Sequence, residues 1–137
     1  MKKLLVMILA LIMAVSMAGC ISTDAPDEIE LITAKDGDVI GDGATEFTLE
    51  VIDAEDTQVN LTIKTDEKTV GAALVALGLI AGENSQYGLY IKTVNNITYD
   101  YDTDGKYWGF YVNGAYANQS ADLTDIEPGA IYTLKAE

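Results

Sequence analysis

From residue 45 to residue 63 apolar side chains recur at every second position. Phe47, Leu49 and Val51 form one run, and after the acidic stretch 53–56 Val59, Leu61 and Ile63 form another. Side chains of a strand point alternately to its two faces, so each run has one apolar and one polar face. Two such runs joined by a short acidic turn predict a β-hairpin. The following segment reads as a helix that covers it. The Thr69 hydroxyl is placed to accept a first-turn N–H of a helix starting at Val70, and Asp66 and Glu67 sit at its positive end. Val70, Ala73, Leu74, Leu77 and then Ile80 or Ala81 share one face at helical spacing, which predicts a helix running that far along the sheet. Gly78 marks a weak end and Gly82 a firm one.

Beyond Gly82 the texture changes. All eight tyrosines, the only tryptophan (Trp108) and Phe110 lie after residue 86. Residues 89–94 read as a strand, Asn95 and Asn96 as a turn, 97–101 as the next strand, and 102–105 as a loop. Residues 108–112 form a strong strand with Trp108, Phe110 and Val112 on one face and Tyr107, Gly109 and Tyr111 on the other. Asn113 and Gly114 tolerate positive φ and favour a type I′ hairpin into residues 115–118. Pro128 and Gly129 then turn the chain into a last strand, 131–135. The expected fold is therefore α+β and β-grasp-like, a mostly antiparallel sheet with one covering helix.

The first residues are built differently. Lys2 and Lys3 precede an apolar run, 4–15, that is short for a hydrocarbon core of roughly 30 Å. Met17, Ala18 and Gly19 then lead to Cys20, the only cysteine. Small residues before a cysteine are what a lipoprotein signal peptidase requires, so residues 1–19 read as a signal peptide and Cys20 as the lipidation site. The expected product is an extracytoplasmic lipoprotein, held at the membrane by the lipid on Cys20. Residues 20–43, acidic and punctuated by glycine, read mainly as a tether. Residues 44–137 read as one folded domain, with enough chain for one small core.

Charge and residue type exclude several functions. With Lys2 and Lys3 removed, six lysines face 22 acidic residues, and there is no arginine or histidine. Such a field repels phosphate backbones, so no nucleic acid partner is expected. With Cys20 committed to lipid, neither a disulfide nor a thiolate metal site remains. Asp100, Asp102, Asp104 and Gly105 imitate the start of a calcium loop, yet Tyr111 stands where the bidentate glutamate belongs, and flanking strands replace the helices. Asp36, Asp38 and Asp42 with their glycines lack a distal glutamate and read as solvated turns. No serine has a histidine base and no carboxylate pair stands out, so an enzyme is not expected.

Four segments carry a resemblance: 69–74 (TVGAAL), 79–90 (LIAGENSQYGLY), 107–114 (YWGFYVNG) and 117–134. Together they resemble the transcobalamin-like C-terminal domain of bacterial lipoproteins, a DUF4430-type domain of unknown function, over residues 40–137. In vertebrate cobalamin carriers the related domain is a β-rich cap that closes over a corrinoid against a helical barrel. The resemblance thus implies a cap without its barrel. It matches Trp108 to the family's aromatic-Trp pair, and residues 118–121 to the loop that approaches the ligand. Two departures bear on that loop. Ser120 stands where the family usually has glycine, and Ala130 where an acidic residue commonly follows the turn glycine.

A corrinoid offers broad apolar faces fringed with amides, which suit flat aromatic rings and amide or hydroxyl groups. Trp108, Tyr111, Tyr116, Asn118, Gln119 and Ser120 supply that set and are the expected ligand-binding residues. For Trp108 and the tyrosines an ordinary place in the core or on a strand stays open beside ligand contact. Without histidine, cobalamin would be a ligand held by its periphery, and no cofactor is expected. Two functions follow. One is capture of cobalamin, another corrinoid or a similar small molecule for uptake, with transfer to a membrane importer. The other is a protein-interaction or adhesion module on the cell surface, docking another exported protein.

Overall fold

The computed structural model describes residues 29–137. The expected signal peptide 1–19, the expected lipidation site Cys20 and the first part of the expected tether lie outside the described residues. No described helix is long and apolar enough to cross a membrane.

The two alternating runs form strands β2 (Thr45–Ile52) and β3 (Gln58–Thr65), paired antiparallel with Phe47 opposite Ile63 and Leu49 opposite Leu61. On their shared apolar face Phe47, Leu49, Val51, Leu61 and Ile63 are buried, and Val59 is half-buried. Strand β7 (Trp108–Val112) and the short β8 (Ala115–Tyr116) form the second hairpin, turning through Asn113 at φ 48° and Gly114 at φ 85°. Strand β9 (Ile131–Ala136) joins the hairpins, parallel to β2 and antiparallel to β7. With β1 (Val39–Gly41) on the outer side of β3, the six-stranded order is β1-β3-β2-β9-β7-β8. A hairpin, a helix and a later strand lying parallel beside the first strand are the β-grasp plan, and the α+β class follows.

Helix α1 (Val70–Ala76) covers the inner face. Thr69 caps it as expected, its hydroxyl accepting the Ala72 N–H at 3.2 Å. It ends earlier than its apolar spacing implies. Leu79 N–H donates to the Leu74 carbonyl at 2.9 Å and Gly78 N–H to that of Val75 at 3.0 Å, with Gly78 at φ 74°. This pattern closes a helix around a left-handed glycine. Gly78 is therefore the firm end, and Ile80 and Gly82 belong to a strand.

That strand, β4 (Ile80–Ser85), pairs antiparallel with β5 (Gly88–Val94), which pairs with β6 (Ile97–Thr98) in a separate three-stranded sheet. Asn95 and Asn96, both at positive φ, make the β5–β6 turn. The expected loop at 102–105 is largely a one-turn helix, α2 (Tyr101–Asp104), capped by the Asp100 carboxylate and closed at Gly105 in the left-handed region. No three described His, Cys, Asp or Glu residues cluster as metal ligands.

Residues 29–43, expected as the distal part of a tether, lie against the domain. Ala34 is buried, and its backbone N–H and C=O both bond the side chain of buried Asn95, at 2.6 and 3.0 Å. Asp36 accepts the Asn60 N–H at 2.8 Å, and β1 then adds to the sheet. A buried amide with two backbone partners fixes this register, because leaving either partner unpaired costs about 1–3 kcal/mol.

Candidate functional site

The second sheet and the β7–β8 hairpin diverge and leave a groove of about 590 Å³ between them. Leu89 and Ile91 of β5 line one wall, Trp108 and Phe110 of β7 the other, with Ala121 between. Its rim is aromatic: Tyr87, Tyr90 and Tyr116 are 78%, 39% and 60% exposed. Asn118, Gln119 and Ser120 add amide and hydroxyl groups from the segment after β8.

Local chemistry sets the groove's shape. After the Asn113–Gly114 turn, Ala117 N–H continues the pairing by donating to the Phe110 carbonyl at 2.9 Å. The chain then tightens into a 3-10 turn (Ala121–Leu123) held from both sides. The Ser120 hydroxyl donates to Asp122 Oδ1 at 2.6 Å, and the same oxygen accepts the Leu89 N–H at 2.9 Å, tying the segment to β5. Thr124 Oγ1 donates to the Ser120 carbonyl at 2.9 Å. This approach needs glycine on the β5 side. Gly88 stands at φ 104°, and a Cβ there would lie 2.0 Å from Ser120 Oγ. The Ser120 departure from the family pattern is thereby accommodated, with its hydroxyl spent inside the protein.

Of the six expected ligand-binding residues, Trp108, Tyr116, Asn118, Gln119 and Ser120 line this groove, and Tyr111 does not. Trp108 is only 6% exposed. Its indole N–H donates to the Lys92 carbonyl at 3.1 Å, and its ring lies 5.1 Å from that of Tyr99. It serves as a buried floor. Gln119 Nε2 is engaged by the Leu123 carbonyl at 2.6 Å, whereas Asn118 is exposed. Tyr111 belongs to the other face of β7, as the alternation required. There the Glu137 carboxylate accepts both the Tyr107 hydroxyl, at 3.1 Å, and the Tyr111 hydroxyl, and it lies over Gly109. Tyr111 meets Tyr116 edge-on at 5.3 Å and so buttresses a rim residue from behind. Tyr132 is a core residue, fully buried between Phe47 and Phe110.

Sequence reasoning missed Tyr87, Tyr90, Leu89 and Ile91, which form the wall opposite β7 and part of the rim. Their signal was present, since tyrosines concentrate in this half of the chain and Leu89 and Ile91 alternate with polar or exposed residues. What was not readable was that β5 leaves the main sheet and faces β7 across a gap.

The hydrogen bonds to Glu137, with lesser burial, push the Tyr107 and Tyr111 hydroxyls up to about 12. Partial burial pushes the Asp122 carboxyl up, but hydrogen bonds from Ser120, the Leu89 N–H and its own N–H outweigh it and hold the group below the usual range. Lys92 is raised by its hydrogen bond to Glu83, against a smaller opposing desolvation. Each of these shifts moves its group further from neutral pH. Glu83, Lys92, Asp100 and Tyr101 line a smaller neighbouring hollow, and Tyr90 and Tyr107 line both.

Comparison with known proteins places this geometry. Residues 67–133 match the family described as "Domain of unknown function (DUF4430)". A solved structure of a candidate metal binding protein from Ruminococcus gnavus ATCC 29149 is 32% identical, with TM-score 0.64, over 68% of this chain and 96% of its own. The structure of haptocorrin in complex with Cbi aligns with TM-score 0.53 at 16% identity, over 68% of this chain and 25% of haptocorrin. At that identity the likeness is one of fold. No curated protein matches.

Proposed function

The chain belongs to the DUF4430 family, and from that premise we propose that it is a binding module that holds a corrinoid or a similar flat, amide-fringed molecule in the tyrosine-rimmed groove. The observation that carries this reading is the pairing of an apolar floor with three exposed tyrosines and nearby amide groups in one concavity. Aromatic rings pack on apolar ring faces, and their hydroxyls with Asn118 meet the polar fringe. The fold shared with haptocorrin, a protein solved with Cbi, supports the choice of ligand class. The described residues include no histidine and no cluster of three metal-ligating side chains, so metal would arrive inside its ligand. In this reading the chain is an extracytoplasmic lipoprotein anchored through Cys20, and the captured molecule passes to a membrane importer.

The test is a titration of the full chain in mild detergent with cobinamide and with cyanocobalamin, following corrinoid absorbance and Trp108 emission. Saturable changes, weakened about tenfold or more by Tyr87→Ala or Tyr116→Ala with an unchanged melting temperature, support the reading. No saturable change, or binding indifferent to both substitutions, overturns it. A second reading, docking of another exported protein on the same face, is favoured by Tyr101, which is 59% exposed beside the neighbouring hollow and extends the aromatic surface. Tyrosine is enriched at protein interfaces. Capture of a protein from envelope extracts, lost in Tyr101→Ala and unaffected by excess cobinamide, would select it.

A further inference from the structure

A second groove, of about 590 Å³, lies between helix α1 and strand β4. Ala72, Val75 and Ala76 of the helix form one wall, Ile80–Gly82 and Asn84 with Leu89 the other, and Ile29 and Leu31 close one side. Along this groove runs the outer edge of the three-stranded sheet. Strand β4 pairs only with β5 among the described residues, and Gly82, Glu83, Asn84 and Ser85 are all exposed. An edge strand presents alternate N–H and C=O groups to any chain that can reach them. Proteins usually blunt such edges with lysine, proline or a bulge. Here the bulge sits at Ala81/Gly82, while residues 82–85 keep regular register with β5 and carry neither lysine nor proline.

From these features we infer that the edge of β4 and the groove beside it receive an extended segment of another protein whose groove-facing residues, every second one along the strand, are apolar toward one end and lysine or arginine toward the other. Added as an outer strand, such a segment would place its apolar side chains against Val75 and Ala76 at the C-terminal end of α1. Its cations, on the same face, would meet Glu67 and Asp122 at the N-terminal end, the charged residues that line the groove; no described lysine lines it. Charge also separates this occupant from its rivals. Residues 21–28 of the chain carry Asp24, Asp27 and Glu28, with Pro26 lacking a donor, and a second copy would bring a further net charge of −14. Both would set anion against anion, whereas a cationic strand is attracted. Backbone pairing supplies affinity in strand addition, and alternate side chains supply selectivity.

The test uses the full chain and a capped extended peptide that carries valine at the alternate positions of one half and lysine at those of the other, with threonine between. The peptide should bind about tenfold more tightly than its valine–glutamate counterpart. N-methylation of alternate peptide amides should abolish binding, because it removes the donors that pair with β4. Amide exchange at residues 82–85 should slow on binding, while exchange at the tyrosine-rimmed groove stays unchanged. The exposed Glu67→Lys variant should weaken binding up to about fivefold with an unchanged melting temperature, the scale of one exposed ion pair. Equal affinity for the two peptides, or protection at residues 107–120 instead, would overturn the inference. So would strong protection of residues 82–85 in the free chain, which would assign the groove to residues 21–28 if independent of concentration and to a second copy if dependent on it. Because cobinamide is absent, failure here leaves the corrinoid reading untouched, and the converse holds.

Discussion

Replacing Trp108 in two ways separates its role as floor from any role as ligand contact. The indole is 6% exposed, so it removes most of its roughly 200 Å² from water; at about 25 cal/mol per Å² that amounts to about 5 kcal/mol, before discounting for a compact unfolded state. Trp108→Ala should therefore cost about 3–5 kcal/mol, the usual range for a large aromatic deleted from a core. Trp108→Phe keeps a ring beside Tyr99 and loses one hydrogen bond. The Lys92 carbonyl also accepts the Tyr99 N–H at 2.9 Å, so it does not become an unsatisfied buried acceptor. The phenylalanine variant should accordingly lose only about 1–2 kcal/mol. Urea unfolding followed by far-ultraviolet circular dichroism measures both, since the fluorophore itself is being removed. With a slope of about 1–1.5 kcal/mol per molar, the midpoint should drop by about 2–5 M for alanine and about 0.7–2 M for phenylalanine. Cobinamide affinity of the phenylalanine variant should change less than about threefold, because the tyrosine rim is intact. A large loss of affinity with little loss of stability, or equal destabilisation by both substitutions, would refute the assignment of Trp108 to the floor.

Gly88→Ala should cost about 2–4 kcal/mol, from strain at φ 104° and overlap with Ser120 Oγ, and adding Ser120→Gly should return only the overlap part; chemical denaturation of the pair reads this. Asp122, with its carboxyl held below the usual range, contributes stability that is present above the unfolded value near pH 4 and is lost as pH falls through the lower folded value. Asp122→Asn should flatten that acid limb of melting temperature against pH. Tyr107 and Tyr111 favour their neutral forms, so their contribution holds below about pH 10 and is lost toward about 12. Phenolate absorbance should show two late-titrating tyrosines that move toward about 10 in Glu137→Gln. Leu74→Ala, at a fully buried position under the sheet, should cost about 2–5 kcal/mol in urea unfolding.

Legibility followed the range of the interaction that fixes each element. The β2–β3 hairpin, the Thr69 cap, the Asn113–Gly114 turn and the strand through Trp108 rest on neighbours a few residues apart, and all were readable from spacing. The helix end was misread because Leu77 and Ile80 continue an apolar periodicity that serves two elements in turn. The left-handed Gly78 decides where one stops, and glycine identity alone does not disclose its φ. Strand β1 escaped notice because it is short and depends on Asn95, some sixty residues away in sequence, to hold Ala34 in place. The site divided in the same way. Tyr116, Asn118, Gln119 and Ser120 come from one hairpin and the segment after it and were found together, whereas the opposing wall from β5 depends on how the second sheet stands against the first. Tyr111 was assigned correctly to the face opposite Trp108, and its distance from the groove follows from that alternation.

Strand β9 lies between β2 and β7, so it is the only described strand that bonds the first hairpin to the second. It also leaves the ribosome after every element it joins. Until those six residues arrive, Val51 and Phe110 lack their shared partner Leu134, Leu49 and Val112 lack Tyr132, and the two halves of the main sheet have no shared backbone pairing. Consolidation of the main sheet therefore waits for residues 131–136, in whichever order the earlier elements form.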